Sequence, residues 1–387
     1  MRIEAQVQEV LRGAAMKTAR LHVTLRDVEP AVVRVLDVPA TATLPELHNL
    51  FQAAFGWWNY HLHQFDAADG TSYGADLDDL DAPDDQLDEA DASLRDLGER
   101  FTYLYDFGDD WTHDVVVRGA GGDEPGCVDG QGSCPPEDCG GPYGYAQLLV
   151  TLADPNHDEH ERMVEWVGNR LRPFDREQVD GYVKRMVGTV PATVRLLLEL
   201  VSDGVRLTPA GRLPRAIVRE VQQSFPGWHP TGKPAATEDD LWPLAELHAL
   251  LRRVGLLRLR NGVLAPTKVA ADDSQVVRRL RSDFDPQAFG TMLIELTAAL
   301  LASRGALSAE ELTALVMPEI GHNWSIGGKP ITERDMRSVL YRAAPLLQAL
   351  DLADPTGLTW TAGPSAVTML PGATLRAEVW SNSTSDA

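Results

Sequence analysis

The sequence predicts an α+β domain followed by mostly α-helical modules, and three observations carry that reading. Apolar and polar residues alternate over Leu21–Val28 and again over Ala31–Pro39, the period of half-buried strands. Leu47, Leu50, Phe51 and Ala54 then recur at i, i+3, i+4 and i+7, the period of an amphipathic helix. Beyond about residue 190 the composition turns to Leu, Arg and Ala, and strand signals shrink to short hairpins. At 387 residues the chain has room for two or three cores.

Taken in order, residues 1–19 read as a helical or frayed leader. The two alternating segments form a hairpin across Glu29-Pro30. Thr43 with Glu46 three residues on is a capping box that starts the amphipathic helix, and Gly56 ends it. A third strand at His61–Ala67 completes a ββαβ opening, the order of a β-grasp-like fold. Residues 74–96 are dense in Asp and Glu and read as a solvated loop with one helical turn near Leu94. Strands at Phe101–Tyr105 and His113–Arg118 flank a hairpin turn, Phe107-Gly108-Asp109-Asp110. The segment 119–142, rich in Gly, Pro and Asp, reads as loop, and helices follow from Tyr143, from His157 and from Arg172.

In the second half, Thr193–Asp203 is helical, and Pro214 opens a further helix. Glu238–Gly255 is a strong helix with an acidic first turn. It runs into Leu256–Thr267, a hairpin about Asn261-Gly262. Helix, turn, helix and hairpin is the order of a winged-helix module, and residues 284–375 echo it. We therefore expect domains at 18–188, 189–275 and 276–380, the second and third winged-helix-like.

Charge is uneven. Residues 1–190 hold 15 Lys and Arg against 36 Asp and Glu, a net of −21, so the whole-chain value of −22 leaves −1 for the remainder. The first half therefore repels nucleic acid and anionic membranes. Three cysteines are too few and too odd for a disulfide framework and suit a reducing compartment. No secretory leader and no run long enough to span a bilayer is visible. The expectation is a cytoplasmic protein without a membrane partner.

Five segments in register, LPELHNLFQAAFGWWNYHLHQF, YLYDFGDDWTH, CPPEDCGGPYGY, DPNHDEHERMVEWVG and RPFDREQV, resemble the plasmid pRiA4b ORF-3-like family over roughly residues 18–185. The resemblance implies a compact α+β domain of uncharacterised function and a link to mobile genetic elements, some relatives carrying a resolvase label. Serine recombinase chemistry needs a nucleophilic Ser among arginines, and the acidic first half has no such cluster.

Four groups of residues could carry chemistry. His61 and His63 would share a strand face and could hold a metal. Asp109 could orient His113 for acid–base work or metal binding. His157 and His160, three apart, could chelate from one helical face with Glu161. Arg252, Arg253, Arg258 and Arg260 flank the helix–hairpin junction and could meet phosphates. The spacing Cys127-x6-Cys134-x4-Cys139 suits neither zinc nor a nucleophile, and Glu137 and Asp138 read as caps of the following helix. No cofactor-binding motif is present, so a divalent metal is the cofactor that the residues suggest.

Two functions follow. The first is a non-catalytic interaction or regulatory factor, with a protein partner, self-association, or DNA through the second half. The second is a metal-dependent, hydrolase-like enzyme built on His61, His63, Asp109 and His113, with His157 and His160 in reserve.

Overall fold

The computed structural model describes residues 17–75, 86–229, 231–285, 288–320, 324–326, 328–355 and 357–383. The expected leader falls largely outside these residues, as does part of the acidic loop. The chain divides into two compact units, Met1–Val187 and Gly188–Ala387.

The first unit is built on one sheet of eight strands. These are β1 (Thr18–Leu25), β2 (Val33–Pro39), β3 (His63–Asp66), β4 (Ser72–Gly74), β5 (Leu87–Asp88), β6 (Arg100–Tyr105), β7 (Trp111–Ala120) and β8 (Gly126–Gln131). Their spatial order is β5-β4-β3-β6-β7-β1-β2-β8, antiparallel throughout except for the β4–β5 pair. The expected opening is present. β1 and β2 pair from Thr18↔Pro39 to Thr24↔Val33. Thr43 and Glu46 form the capping box of the helix Leu44–Phe55, which ends at Gly56 in the left-handed region with φ 78°. That helix buries Leu44, Leu47, Leu50, Phe51 and Ala54, and the helix Arg176–Val187 packs against it and against β8. Phe51, Phe65, Trp57, Tyr103, Tyr105 and Trp111 fill the core beneath it.

Three expectations change in this unit. The third strand starts at His63, so His61 lies before it. The segment 119–142, read as loop, contains β8. Its glycines are weak strand formers by propensity, but Gly130 is needed here because a Cβ would meet the Phe174 ring at 2.7 Å. The helix at 157 begins at His160, so His157 stands outside it.

The second unit repeats one arrangement. The helix Ala192–Leu200 leads to β9 (Val205–Arg206), the helices Arg215–Ser224 and Trp242–Arg253, and a hairpin of β10 (Leu257–Arg260) and β11 (Val263–Pro266). The sheet order is β10-β11-β9. The helix Phe289–Arg304 then leads to Leu307, the helices Ala309–Ile320 and Glu333–Ala349, and the pair Ala353–Asp354 and Thr361–Ala362. Leu307 bridges Trp360, so the strand-like residue between the first two helices again meets the second arm of the hairpin. One contiguous core runs from Val194 to Ala377 through both copies. Within it, the helices Trp242–Arg253 and Glu333–Ala349 pack on each other.

Candidate metal centre

Three loops of the first unit meet beside the β3–β6–β7 strands: residues 57–62 before β3, the β6–β7 turn at 106–110, and residues 132–140 after β8. Each contributes one donor. His61 Nε2 lies 3.5 Å from Asp106 Oδ2 and 3.3 Å from Asp138 Oδ1. Ligand atoms from all three residues sit within 4.8 Å of one another. The Nε2 atom is buried yet has no hydrogen-bond partner among the described residues, although it faces two carboxylates. Donors about 2.1 Å from a tetrahedral or octahedral cation stand roughly 3.0–3.5 Å apart, the separation His61 keeps from each carboxylate.

The local backbone explains how short side chains converge. Asp106 and Asp138 both adopt left-handed conformations, with φ 60° at each. Asp106 accepts from the Gly108 and Asp109 amides through Oδ1, which leaves Oδ2 turned toward His61. The neighbouring Glu137 anchors the third loop. Tyr105 donates to its Oε1 at 2.5 Å and the Trp58 amide donates to its Oε2 at 3.0 Å. Burial pushes the Glu137 carboxyl up, against those hydrogen bonds. The Trp57 indole donates to the Pro135 carbonyl at 2.9 Å, and the Tyr60 amide to Tyr105 Oη at 3.1 Å. Glu137 and Asp138 are therefore not helix caps. The acid at the start of the helix Gly141–Ala153 is Asp109, whose Oδ2 accepts from the Gly140 amide at 3.1 Å.

The other expected ligands go elsewhere. His63 is buried, lies 2.8 Å from Glu89 Oε2 and stacks on His48 with ring centroids 3.6 Å apart. Burial pushes the Glu89 carboxyl up to about 7 and the His63 imidazole down to about 4, so the proton of the pair rests on Glu89. His113 is fully buried, donates from Nδ1 to the Tyr103 carbonyl at 3.0 Å, and meets Phe55 and Trp57 edge-on. Burial holds its imidazole at about 4. It does not face Asp109, and the expected set of His61, His63, Asp109 and His113 does not assemble. His157 is exposed and accepts from the Glu159 amide, while His160 bonds the Thr151 carbonyl. The two do not form a chelating face. The three thiols are free, and burial raises all of them, Cys127 to about 11 and Cys139 to about 12.

Asp106 and Asp138 escaped the sequence reading as ligands because tight turns explain an Asp without further function. The available signal was that each of the three residues falls in a different one of the five segments that carry the family resemblance. In the second unit, Arg253 is ion-paired with Asp283 at 2.6 Å, while Arg252, Arg258 and Arg260 are exposed.

Comparison with known proteins places all three donors inside one family region. Residues 17–182 match the family described as plasmid pRiA4b ORF-3-like protein. An uncharacterized protein y4hQ of Sinorhizobium fredii strain NGR234 is 42% identical over 159 residues, which is 39% of this chain and 80% of that protein. A crystal structure of a protein of unknown function from Methanosarcina mazei Go1 is 32% identical. It covers 42% of this chain and 97% of its own, with a TM-score of 0.37.

Proposed function

We propose, from the premise that this chain belongs to the plasmid pRiA4b ORF-3-like family, that its family domain is a divalent-metal module with open coordination positions. The convergence of His61, Asp106 and Asp138 from three separate loops carries this reading. One imidazole and two carboxylates favour zinc, manganese or iron over calcium, which prefers an all-oxygen set. Three protein donors leave positions for water and a substrate oxygen, the pattern of catalytic and not structural sites. A metal held there would lower the pKa of a bound water, which supports a hydrolase-like activity. The side-chain accessibility of Asp138, at 70%, supports access from solvent.

Atomic absorption on protein purified without chelator or metal-supplying tag tests the proposal. We expect close to one ion per chain. Asp138→Asn, at an exposed position, should weaken metal binding by about tenfold or more. His61→Gln should abolish it, with the fold retained. Substoichiometric metal, together with no thermal stabilisation by added zinc or manganese, would mean that His61 merely packs between two carboxylates.

A second reading, the non-catalytic interaction factor, is supported by the second unit. The helix, strand, helix, helix and hairpin order of its two copies supports winged-helix-like modules, and the ββαβ opening of the first unit supports a β-grasp-like one. The free thiols suit a reducing cytoplasm.

A further inference from the structure

We infer that one face of the β9–β11–β10 sheet is a contact surface for the phosphate backbone of a nucleic acid duplex, carried by Arg206, Arg258 and Arg260. The strand register fixes the face. Arg206 pairs with Val263, which pairs with Arg260 on its other side, and Arg258 pairs with Ala265. Directly paired residues point to the same side of a sheet, so the three arginines surround Val263 and Ala265 on one face. The opposite face carries Leu257, Leu264 and Val205, with Leu257 and Leu264 buried in the core.

All three arginines are exposed. Their state differs from that of four other arginines in the unit. Arg195, Arg212, Arg253 and Arg337 are each ion-paired, with Asp273, Asp239, Asp283 and Glu310 respectively. Among the described residues no carboxylate pairs with Arg206, Arg258 or Arg260; Arg206 reaches only the Asn261 carbonyl, at 3.5 Å. The Asn261-Gly262 turn, with φ 53° and 75°, closes the hairpin tightly and holds Arg206 beside it.

Spacing suits separate anions. Arg258 and Arg260 are two residues apart on one strand, about 6.7 Å, and Arg206 and Arg260 stand two strand spacings apart, about 9.6 Å. Three bidentate donors at such intervals on a stiff support can each take a phosphate. The packing of Trp242–Arg253 on Glu333–Ala349 turns an apolar side of each helix to the core, while the three arginines of the sheet face stay exposed. Contact through backbone alone carries no base readout. Since the acidic excess lies in residues 1–190 and the remainder nets −1, the contact is local and weak, in the range of non-specific binding.

The test uses the full chain with chelator present, which keeps it independent of the proposed metal centre. Anisotropy of a labelled duplex of about 20 base pairs is followed across roughly 25–200 mM salt. We expect log K to fall with log salt at a slope of about −3, and each single Arg→Ala to remove about one unit of slope. The triple alanine variant should bind at least about tenfold more weakly at roughly 50 mM salt, and a duplex of unrelated sequence should bind within about threefold of the first. The triple lysine variant, and the single reversal Arg260→Glu, separate charge from folding: the former must retain binding and the latter must lose it. No binding by the native chain at low salt, a triple alanine variant that binds unchanged, or capture of polyglutamate but not duplex would overturn the inference.

Discussion

His63 and Glu89 show how burial sets the chemistry of single residues in this core. In the unfolded chain, between pH 4.5 and 6.5, the imidazole is charged and the carboxylate ionised, so the pair holds one proton. In the folded chain Glu89 near 7 and His63 near 4 also hold one, on the acid. The pair therefore adds no slope to stability over that window. His48 and His113 have no such compensation. Burial depresses both, the unfolded state binds more protons, and stability falls as pH drops from 6.5 toward 4. Glu89→Gln removes the carboxyl that offsets His63. We expect it to steepen the acid limb by about one proton, or 1.4 kcal/mol per pH unit. Hydrogen exchange of the β6 and β7 amides against pH would measure this; an acid limb of unchanged slope would refute the assignment.

The same core holds a closed ring. Gln52 donates to Tyr103 Oη, Tyr103 to His48 Nδ1, His48 Nε2 to Asn59 Oδ1, and the Asn59 amide to Gln52 Oε1, at 3.0, 2.7, 2.8 and 2.9 Å. Each member is satisfied only with His48 neutral, which agrees with its depressed pKa. None of this was legible in sequence. The pattern put His48 on the helix and Tyr103 on a strand, but a histidine at a helical core position carries no sign of the partner it meets 55 residues later. His61 was legible as a possible ligand, whereas its partners required the left-handed turns at Asp106 and Asp138.

Among elements, β8 depends on one buried cation. The Arg34 guanidinium donates to the carbonyls of Ala54, Val33, Gln131 and Gly132, and lies over the Phe55 and Phe174 rings at 5.3 and 4.6 Å. It thus ties β2 to the end of helix Leu44–Phe55 and to the last residues of β8. Local periodicity marks strands that bury an apolar face, as in β1 and β2. It misses β8, whose residues are held by a ladder to β2 and by Arg34 instead of by an apolar stripe. Arg34→Met keeps most of the volume and the aromatic contacts but leaves several carbonyls unpaired. We expect a loss of about 3 kcal/mol in denaturant titrations, with Arg34→Lys nearly as costly because an ammonium cannot span the four acceptors. Faster exchange of the Gly126–Gln131 amides should accompany it. Protection unchanged from wild type would show that the ladder alone fixes the strand.

At the scale of the molecule, the two copies in the second unit are a repeat in topology that shares one buried core. Their element orders match, and the sequence echo at residues 284–375 made that visible. Patterning could not show that the helices Trp242–Arg253 and Glu333–Ala349 bury against each other inside one core. Leu244, Leu247, Leu250 and Leu251 on the first helix and Met336, Leu340 and Leu347 on the second are all at most 1% exposed. A chain ending at about residue 285 would expose the part of the first helix that the second covers. Each fully buried leucine is worth roughly 1.5–3 kcal/mol, against a total stability of about 5–15 kcal/mol for a domain, so exposing even some of them removes much of the margin. We expect residues 188–285 alone to be poorly folded, and Leu340→Asp in the full chain to release the hairpin β10–β11 as well as the second copy. Limited proteolysis with mass mapping is the measurement: one protected fragment covering both copies in the native chain, and simultaneous cleavage in both for the Asp variant. Cleavage confined to residues beyond 288 in that variant would establish two independent modules and remove the shared core as the basis of their arrangement.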